Sequence, residues 1–350
     1  MRFIHLADVH LGAVPDMGMP WSRKREKEIW STFRRVFEVI RTDPVDLLLI
    51  AGDLFHRQPL MSELEEVNAL FQGIPGTTVV FMAGEHDYLR ADSAYLRMKW
   101  AENVIFLGDR QWTCAEIPKL NTYVYGLSYD REEISEFLYH TERPVNKPGF
   151  HVMLAHGGDE RHIPLKPEVV AGAGFDYIAM GHLHKPQILA GGRAVYAGAL
   201  EPVDREDTGA HGYVLGEWKD NKLQVTMVPF ASRSYIHQII TVRDDATQAS
   251  LEEEIRAVME EKGKENIYKV WFRGYRSPKL MLMPERLESL GNIVQVIDET
   301  RPAYDLIQLQ KRYAGTLIGE YIQYFLQKKR SPEEEKALYY GLQALLETRA

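Results

Sequence analysis

Five times within the first 184 residues, a short apolar run is closed within three residues by aspartate, glutamate or histidine. The runs RFIHLA, DLLLIA, TTVVFMA, FHVMLA and YIAM lead into Asp8 and His10, Asp53 and His56, Glu85, His86 and Asp87, His156, and finally His182 and His184. Short apolar runs bounded by turn residues read as buried strands. In an α/β sheet the carboxyl ends of the strands converge on one edge, so side chains scattered along the chain can meet in one crevice. Amphipathic helices lie between the runs. Residues 22–42 carry Ile29, Trp30, Phe33, Val36, Phe37 and Ile40 on one face before Asp43 and Pro44, and residues 61–72 repeat the pattern with Leu64, Val67 and Phe71. Further strands are expected at 104–108 and 123–127. The fold class is α/β, a layered sheet flanked by helices with some antiparallel members.

From about residue 235 the character changes: a strand at 236–242, a helix at 247–262, strands at 268–274 and 293–297 and a short helix between them describe a small separate α/β unit. Two helices are expected after Pro302. One presents Leu317, Ile318, Tyr321, Ile322 and Phe325; the other opens with Ser331 as N-cap, Pro332 and the capping-box partner Glu334, and presents Leu338, Tyr339, Leu342 and Leu345. So many apolar side chains on a short tail imply docking, on the chain's own core or on a partner. The domain boundaries implied are 1–232, 233–301 and 302–350.

With Cys114 as the single cysteine, no internal disulfide can form and a thiolate metal site is excluded, which suits a reducing cytoplasm. Metal chemistry must then use carboxylate and imidazole, a donor set that suits manganese, iron or zinc. The opening MRFIHLADVHLG has a strand pattern and not that of a secretion leader. No apolar stretch reaches the roughly 18 residues a membrane span needs, so no membrane association is expected. A net charge of −8 repels nucleic acid, so DNA binding would need local patches. Arg23, Lys24, Arg25 and Lys27, and Lys328, Lys329 and Arg330, are candidates, though such runs also occur as solvated helix faces.

One D-x-H or H-x-H is an ordinary polar strand end; five clusters in series are not. In GDLFH, GEHD and GHLH a glycine precedes the acid or histidine, where a tight turn lets side chains aim at one point. Order and spacing resemble the calcineurin-like metallophosphoesterase superfamily, whose signature runs DxH, GDxx, GNHD, a lone His and GHxH, with one departure: Glu85 stands where the family has asparagine. Within it, DVHLG at 8–12 and GDLFH at 52–56 are similar to the SbcD and YhaO-like branch of DNA repair exonucleases.

The resemblance implies a metallophosphoesterase β-sandwich over 1–232, a capping domain over 233–301, and C-terminal helices that dock on an SbcC-like coiled-coil ATPase. It implies a DNA substrate and a homodimer. Asp8, His10, Asp53 and His184 would hold one divalent ion, and Asp53, Glu85, His156 and His182 a second, with manganese expected ahead of iron or zinc. Two ions sharing Asp53 would activate a hydroxide for attack on the phosphodiester. His86 would protonate the leaving alkoxide, Asp87 would orient His86, and His56 would contact the phosphate. Glu85 brings three carboxylates to the pair where the family has two, which favours metal affinity and weakens Lewis acidity; two readings survive, a working variant with altered metal preference and an attenuated or inactivated site, and reduced activity is the one favoured. Two other readings stay open: a phosphatase or phosphodiesterase for small molecules, against which Leu11 and Gly12 argue, and a non-enzymatic scaffold for DNA ends or an ATPase. His5, His140, His151, His162, His211 and His237 fall outside the motifs and are given structural roles. In the loop 196–213, Tyr196, Glu201 and Arg205 either border substrate or are ordinary loop residues.

Overall fold

The computed structural model describes residues 1–348, which form two compact units, one running from Met1 to Tyr235 and the other beginning at Ile236. Along the first unit come β1 (Arg2–Leu6), α1 (Ser22–Thr42), β2 (Leu47–Ala51), α2 (Met61–Gln72), β3 (Thr78–Met82), α3 (Ala94–Arg97), β4 (Val104–Phe106), β5 (Thr113–Ile117) and β6 (Thr122–Gly126). They are followed by β7 (Phe150–His156), α4 (Pro167–Ala171), β8 (Tyr177–Gly181), β9 (Gln187–Leu189), β10 (Ala194–Tyr196), β11 (Gly212–Lys219) and β12 (Lys222–Pro229). The strands form two six-stranded sheets in the orders β12-β11-β1-β2-β3-β4 and β5-β6-β7-β8-β10-β9. The centre of each is parallel, with helical crossovers between β1, β2, β3 and β4 and between β7 and β8, and β5, β9, β11 and β12 pair antiparallel.

Alternation along each central strand builds three apolar layers. Phe3, Leu47, Leu49, Val80 and Met82 face Val124, Val152, Leu154 and Ala179 between the sheets. Ile4, Leu6, Leu48, Ile50, Val79 and Phe81 point the other way, onto Phe33, Phe37, Leu64 and Phe71 of α1 and α2. Outside the second sheet, Met153, Ile178 and Met180 pack with Tyr129, Tyr139 and Phe175. The run pattern anticipates the α/β layering with helices, and the family resemblance the sandwich of two sheets. His5 sits on the face between the sheets, fully buried, with Nδ1 2.8 Å from the Tyr177 hydroxyl. Burial pushes its pKa down to about 3, so it is neutral in the fold. The hairpin β11–β12 was not among the expected strands, although Leu223, Val225 and Met227 carry a period of two and lie against the inter-sheet core. It turns at Asp220 and Asn221, both with positive φ.

The second unit contains β13 (Tyr235–Val242), α5 (Gln248–Lys262), β14 (Ile267–Arg276), α6 (Pro284–Glu288), β15 (Ile293–Asp298) and β16 (Arg301–Pro302). Its sheet runs β13-β14-β15, with β16 also on β14, over a core of Val242, Leu251, Ile255, Tyr268, Val270 and Phe272. The tail holds three helices and not the two expected: α7 (Leu306–Arg312), α8 (Leu317–Leu326) and α9 (Pro332–Glu347). The extra one, α7, is short and is capped by Asp305, which accepts from Gln308 N at 2.9 Å. Ile318, Ile322 and Leu342 pack together, and Phe325 and Leu338 are also buried, whereas Leu317, Tyr324 and Tyr340 are exposed. Most of the apolar face seen in the sequence is therefore consumed inside the unit. Among the described residues, no helix is long and apolar enough to cross a membrane.

Candidate metal centre

Three strands of the first sheet and two of the second deliver the motif residues. Asp8 and His10 follow β1, Asp53 follows β2, Glu85 follows β3, His156 ends β7, and His182 and His184 follow β8. The chain bends sharply at these points: φ is 49° at Asp8, 51° at His10, 48° at Asp53 and 95° at His182. Non-glycine residues seldom adopt such angles, and each costs about 1–3 kcal/mol that the surrounding structure must hold in place. Two glycines make the convergence possible. A Cβ on Gly52 would collide with the His156 ring, and one on Gly84 with the Asp53 carboxylate.

Every residue assigned to metal binding from sequence reaches this point. Asp8, His10 and His184 bring ligand atoms within 4.8 Å of one another, as do Glu85, His156 and His182, and Asp8, Asp53 and His156. His10 Nε2 lies 3.0 Å from His184 Nε2 and 3.9 Å from Asp53 Oδ2. Asp53 Oδ2 is 3.7 Å from His156 Nε2, and Glu85 joins His156 to His182, touching His156 Nε2 with one oxygen and standing 2.7 Å from His182 Nδ1 with the other. Asp8 accepts the His182 backbone N–H, tying the first sheet to the second.

These are buried charges without a compensating lysine or arginine in their ion pairs, which are made with imidazoles. Burial raises the Asp53 carboxyl well above the usual range and the Glu85 charge adds to it, against the opposing pull of His156. Burial also raises Asp8. At Glu85 burial acts upward too, but the His156 and His182 imidazoles outweigh it and hold the carboxyl far below the ordinary value. Burial alone would lower His156, yet Glu85 and Asp53 raise it well above normal. His10 is pushed well down by burial and by its histidine neighbours. Asp53 Oδ2 is buried and makes no hydrogen bond, while the buried Glu85 Oε2 and His156 Nε2 have only each other. Converging carboxylate and imidazole atoms with lone pairs unsatisfied by any donor fit a divalent cation of the oxygen- and nitrogen-loving class.

The catalytic candidates separate in the structure. His86 is partly exposed at the rim of an open cleft of about 740 Å³, which Arg57, His162, His182, His184 and Lys185 also line. Its backbone N–H donates to Asp53 Oδ1 at 3.0 Å, and its ring stacks on His56 at 4.9 Å. His56 Nδ1 in turn lies 3.3 Å from His10 Nδ1. Asp87 does not bond the His86 ring, which corrects the role expected of it. It is buried and accepts from Phe55 N at 3.0 Å, Gly84 N at 2.8 Å and the Tyr95 hydroxyl at 2.6 Å, so it staples the Asp53 loop to the Glu85 loop. Two further expectations fail for the same reason, burial. Glu201 does not border the cleft; it is enclosed and bonded to Arg25 and Thr32. Arg25 is itself fully buried, so it leaves the basic patch to Arg23, Lys24 and Lys27. Tyr196 is buried with its hydroxyl on Gly157 O, and Arg205 is tied to Asp16.

Sequence reasoning missed Asp159 and Asp207, which bond His182 and His184, and assigned His162 a purely structural role although it lines the cleft. The motifs held no signal for them, because all three lie in loops without periodicity.

Residues 1–186 match the family described as calcineurin-like phosphoesterase. The chain belongs to this family. Its relatives include the DNA double-strand break repair protein Mre11 of Methanopyrus kandleri, 30% identical over 254 residues that make up 62% of this chain and 54% of that protein. A metallophosphoesterase of Bacillus subtilis, YhaO, is 26% identical over 240 residues, 61% of this chain and 57% of the relative. The SbcD component of the SbcCD nuclease of Staphylococcus saprophyticus is 20% identical across 99% of both chains. The chain thus spans little more than half the length of the first two. These relatives agree with the SbcD and YhaO-like branch that the motifs resemble. Membership in the phosphoesterase family implies divalent metal ions, and the residue groups able to hold them are those gathered around Asp53.

Proposed function

We propose that this chain is a metal-dependent phosphodiesterase that cuts DNA, a nuclease of the double-strand-break repair type. The observation that carries the reading is the convergence of Asp8, His10, Asp53, Glu85, His156, His182 and His184 on one point where the buried Asp53 Oδ2 has no hydrogen bond and Glu85 Oε2 and His156 Nε2 have only each other. Asp8, His10, Asp53 and His184 would hold one ion and Asp53, Glu85, His156 and His182 the other, manganese in both. When bound, the two ions supply positive charge that polarises the phosphate and stabilises the attacking and leaving oxygens of an in-line displacement.

The protein's own groups do the rest. His86, partly exposed on the cleft and held by its backbone to Asp53, donates a proton to the departing alkoxide oxygen. His56, stacked on His86, and Arg57 and Lys185 at the cleft lining offer donors to the phosphate backbone, a local attraction that the overall charge of −8 does not supply. Glu85 puts a third carboxylate into the pair, which retains metal but weakens its pull on the phosphate and repels the substrate. DNA is favoured over small phosphate esters by the repair protein and the nuclease component among the relatives. The exposed Leu317, Tyr324 and Tyr340 of the tail helices are the proposed contact with a coiled-coil ATPase, in a cytoplasmic repair complex that includes a second copy of the chain.

The test is manganese-dependent hydrolysis of end-labelled duplex DNA and of bis-(p-nitrophenyl) phosphate. Glu85→Asn raises the rate, and adding His86→Ala to that variant lowers it by about 100- to 10,000-fold. Turnover of a nucleotide monoester with none of DNA would replace the nuclease with a small-molecule phosphatase. No hydrolysis by either form, with any divalent ion, would leave a scaffold.

A further inference from the structure

The two histidines of GHLH present opposite ring nitrogens to the metal centre. His184 points Nε2 at His10 Nε2, 3.0 Å away, while His182 points Nδ1 at Glu85, 2.7 Å away. A neutral imidazole has one N–H and one lone pair, and the lone pair must face the cation. His184 therefore needs its proton on Nδ1 and His182 on Nε2. Each of those nitrogens meets a carboxylate: Asp207 Oδ2 stands 3.0 Å from His184 Nδ1, and Asp159 Oδ2 stands 2.9 Å from His182 Nε2.

Both carboxylates are fixed before they act. Asp207 Oδ2 also accepts Val203 N at 3.0 Å and Asp204 N at 2.9 Å, in the loop that follows β10. Asp159 Oδ1 accepts Arg161 N at 2.8 Å and His162 N at 2.9 Å, in the loop that follows β7. A further imidazole of the centre, the fully buried His156, solves the same problem with a backbone carbonyl, Ala51 O, 2.7 Å from its Nδ1. Partners of this kind set the tautomer and ring orientation of metal-binding histidines and raise their basicity.

The geometry points to Asp207 and Asp159 as positioning residues that lock His184 and His182 in opposite tautomers, so that adjacent histidines of one motif serve two different ions. This rests on the metal reading above. Asp207 is the stronger anchor because its side chain is 12% exposed against 48% for Asp159, and water competes less for its hydrogen bond.

The experiment is Mn²⁺ titration of the full chain by calorimetry, alongside ring-nitrogen NMR of the histidine-labelled protein loaded with diamagnetic Zn²⁺, since without a cation the Glu85 carboxylate takes an N–H from His182 Nδ1. Asp207→Ala is expected to weaken one of two sites by roughly 10- to 100-fold and leave the other, Asp159→Ala to weaken the other by less, and Asp207→Asn, which keeps an acceptor oxygen, to recover most of the loss. The NMR spectrum should give Nδ1–H for His184 and Nε2–H for His182, with His184 losing its preference in Asp207→Ala. A parent that binds two ions while the variants bind both with unchanged affinity overturns this inference alone. So does the same tautomer at both histidines, or a loss shared equally by both sites together with a fall in Tm. A parent that binds no Mn²⁺ overturns the metal reading, and this inference with it.

Discussion

Two clusters of buried charge lie in the first unit. Around Arg25, the charges cancel: Arg25 bonds Glu28 at 2.9 Å and Glu201 at 3.1 Å, and Arg233 forks onto Glu28 with two bonds of 2.7 Å. Two cations meet two carboxylates, Glu201 further accepts from Thr32 and from Ser232 N, and Arg25 reaches Pro202 O, leaving Arg25 Nε without a partner. Burial would raise Glu28, but the two guanidinium groups outweigh it and hold the carboxyl below its usual value. Around Asp53 the opposite holds. Carboxylates crowd together, imidazoles are their counter-charges, the buried Asp53 Oδ2 has no hydrogen bond, and the backbone is strained at four positions. A closed network of this first kind ties α1 to the loop after β10. The second is stable to the extent that something absent from the polypeptide completes it, and burial alone does not distinguish the two.

The sharpest break between them is mutational. Removing one partner of the balanced cluster strands a buried charge, so Arg25→Met should cost about 3–5 kcal/mol in denaturant unfolding. Arg25→Met combined with Glu201→Met should cost less than the sum of the two single changes; an additive result would mean that the cluster is not one unit. The unbalanced cluster should respond to ligand instead. Mn²⁺ at 100 times its dissociation constant should stabilise the protein by about 2.7 kcal/mol for each ion bound, read as a rise in Tm that EDTA reverses, whereas the Arg25 cluster gives no metal dependence.

His5 extends the comparison to a buried group that is held neutral. Its folded pKa of about 3 lies below the ordinary 6.5, so the unfolded chain takes up the proton first as pH falls. The stability it contributes is complete above pH 6.5 and declines toward pH 3, by about 2 kcal/mol at pH 5. His5→Leu should flatten that part of the acid limb, measured as the pH dependence of the unfolding midpoint, and an unchanged slope would refute the assignment. The smallest effect should have opposite signs in two conditions. In metal-free protein, Asp53→Asn relieves carboxylate crowding and raises stability by on the order of 1 kcal/mol; in excess Mn²⁺ the same variant is less stable than the parent, because a ligand is gone.

The amino-acid sequence by itself determined the strand ends, and with them the candidate metal centre. Asp8, Asp53, Glu85, His156 and His182 each follow an apolar run whose burial is forced by its composition, and parallel strands with helical crossovers must bring such ends to one edge. The α/β class and the polar strand ends followed from that local pattern, and the family and the seven ligand positions from the resemblance those motifs carry. What only the tertiary structure decided concerns side chains whose role depends on a neighbour far away in sequence. Asp207 meets His184, Asp159 meets His182, and Glu201 meets Arg25 across 176 residues, from loops that carry no period. Asp87 adjoins His86 in sequence yet points into the protein, because Phe55 N, Gly84 N and Tyr95 offer it donors there. The tail helices make the same point: their apolar stripes were visible, but whether Ile318, Ile322 and Leu342 faced each other or a partner depended on how the helices packed. Periodicity reveals that a side chain will be buried; what it is buried against is settled by packing in three dimensions.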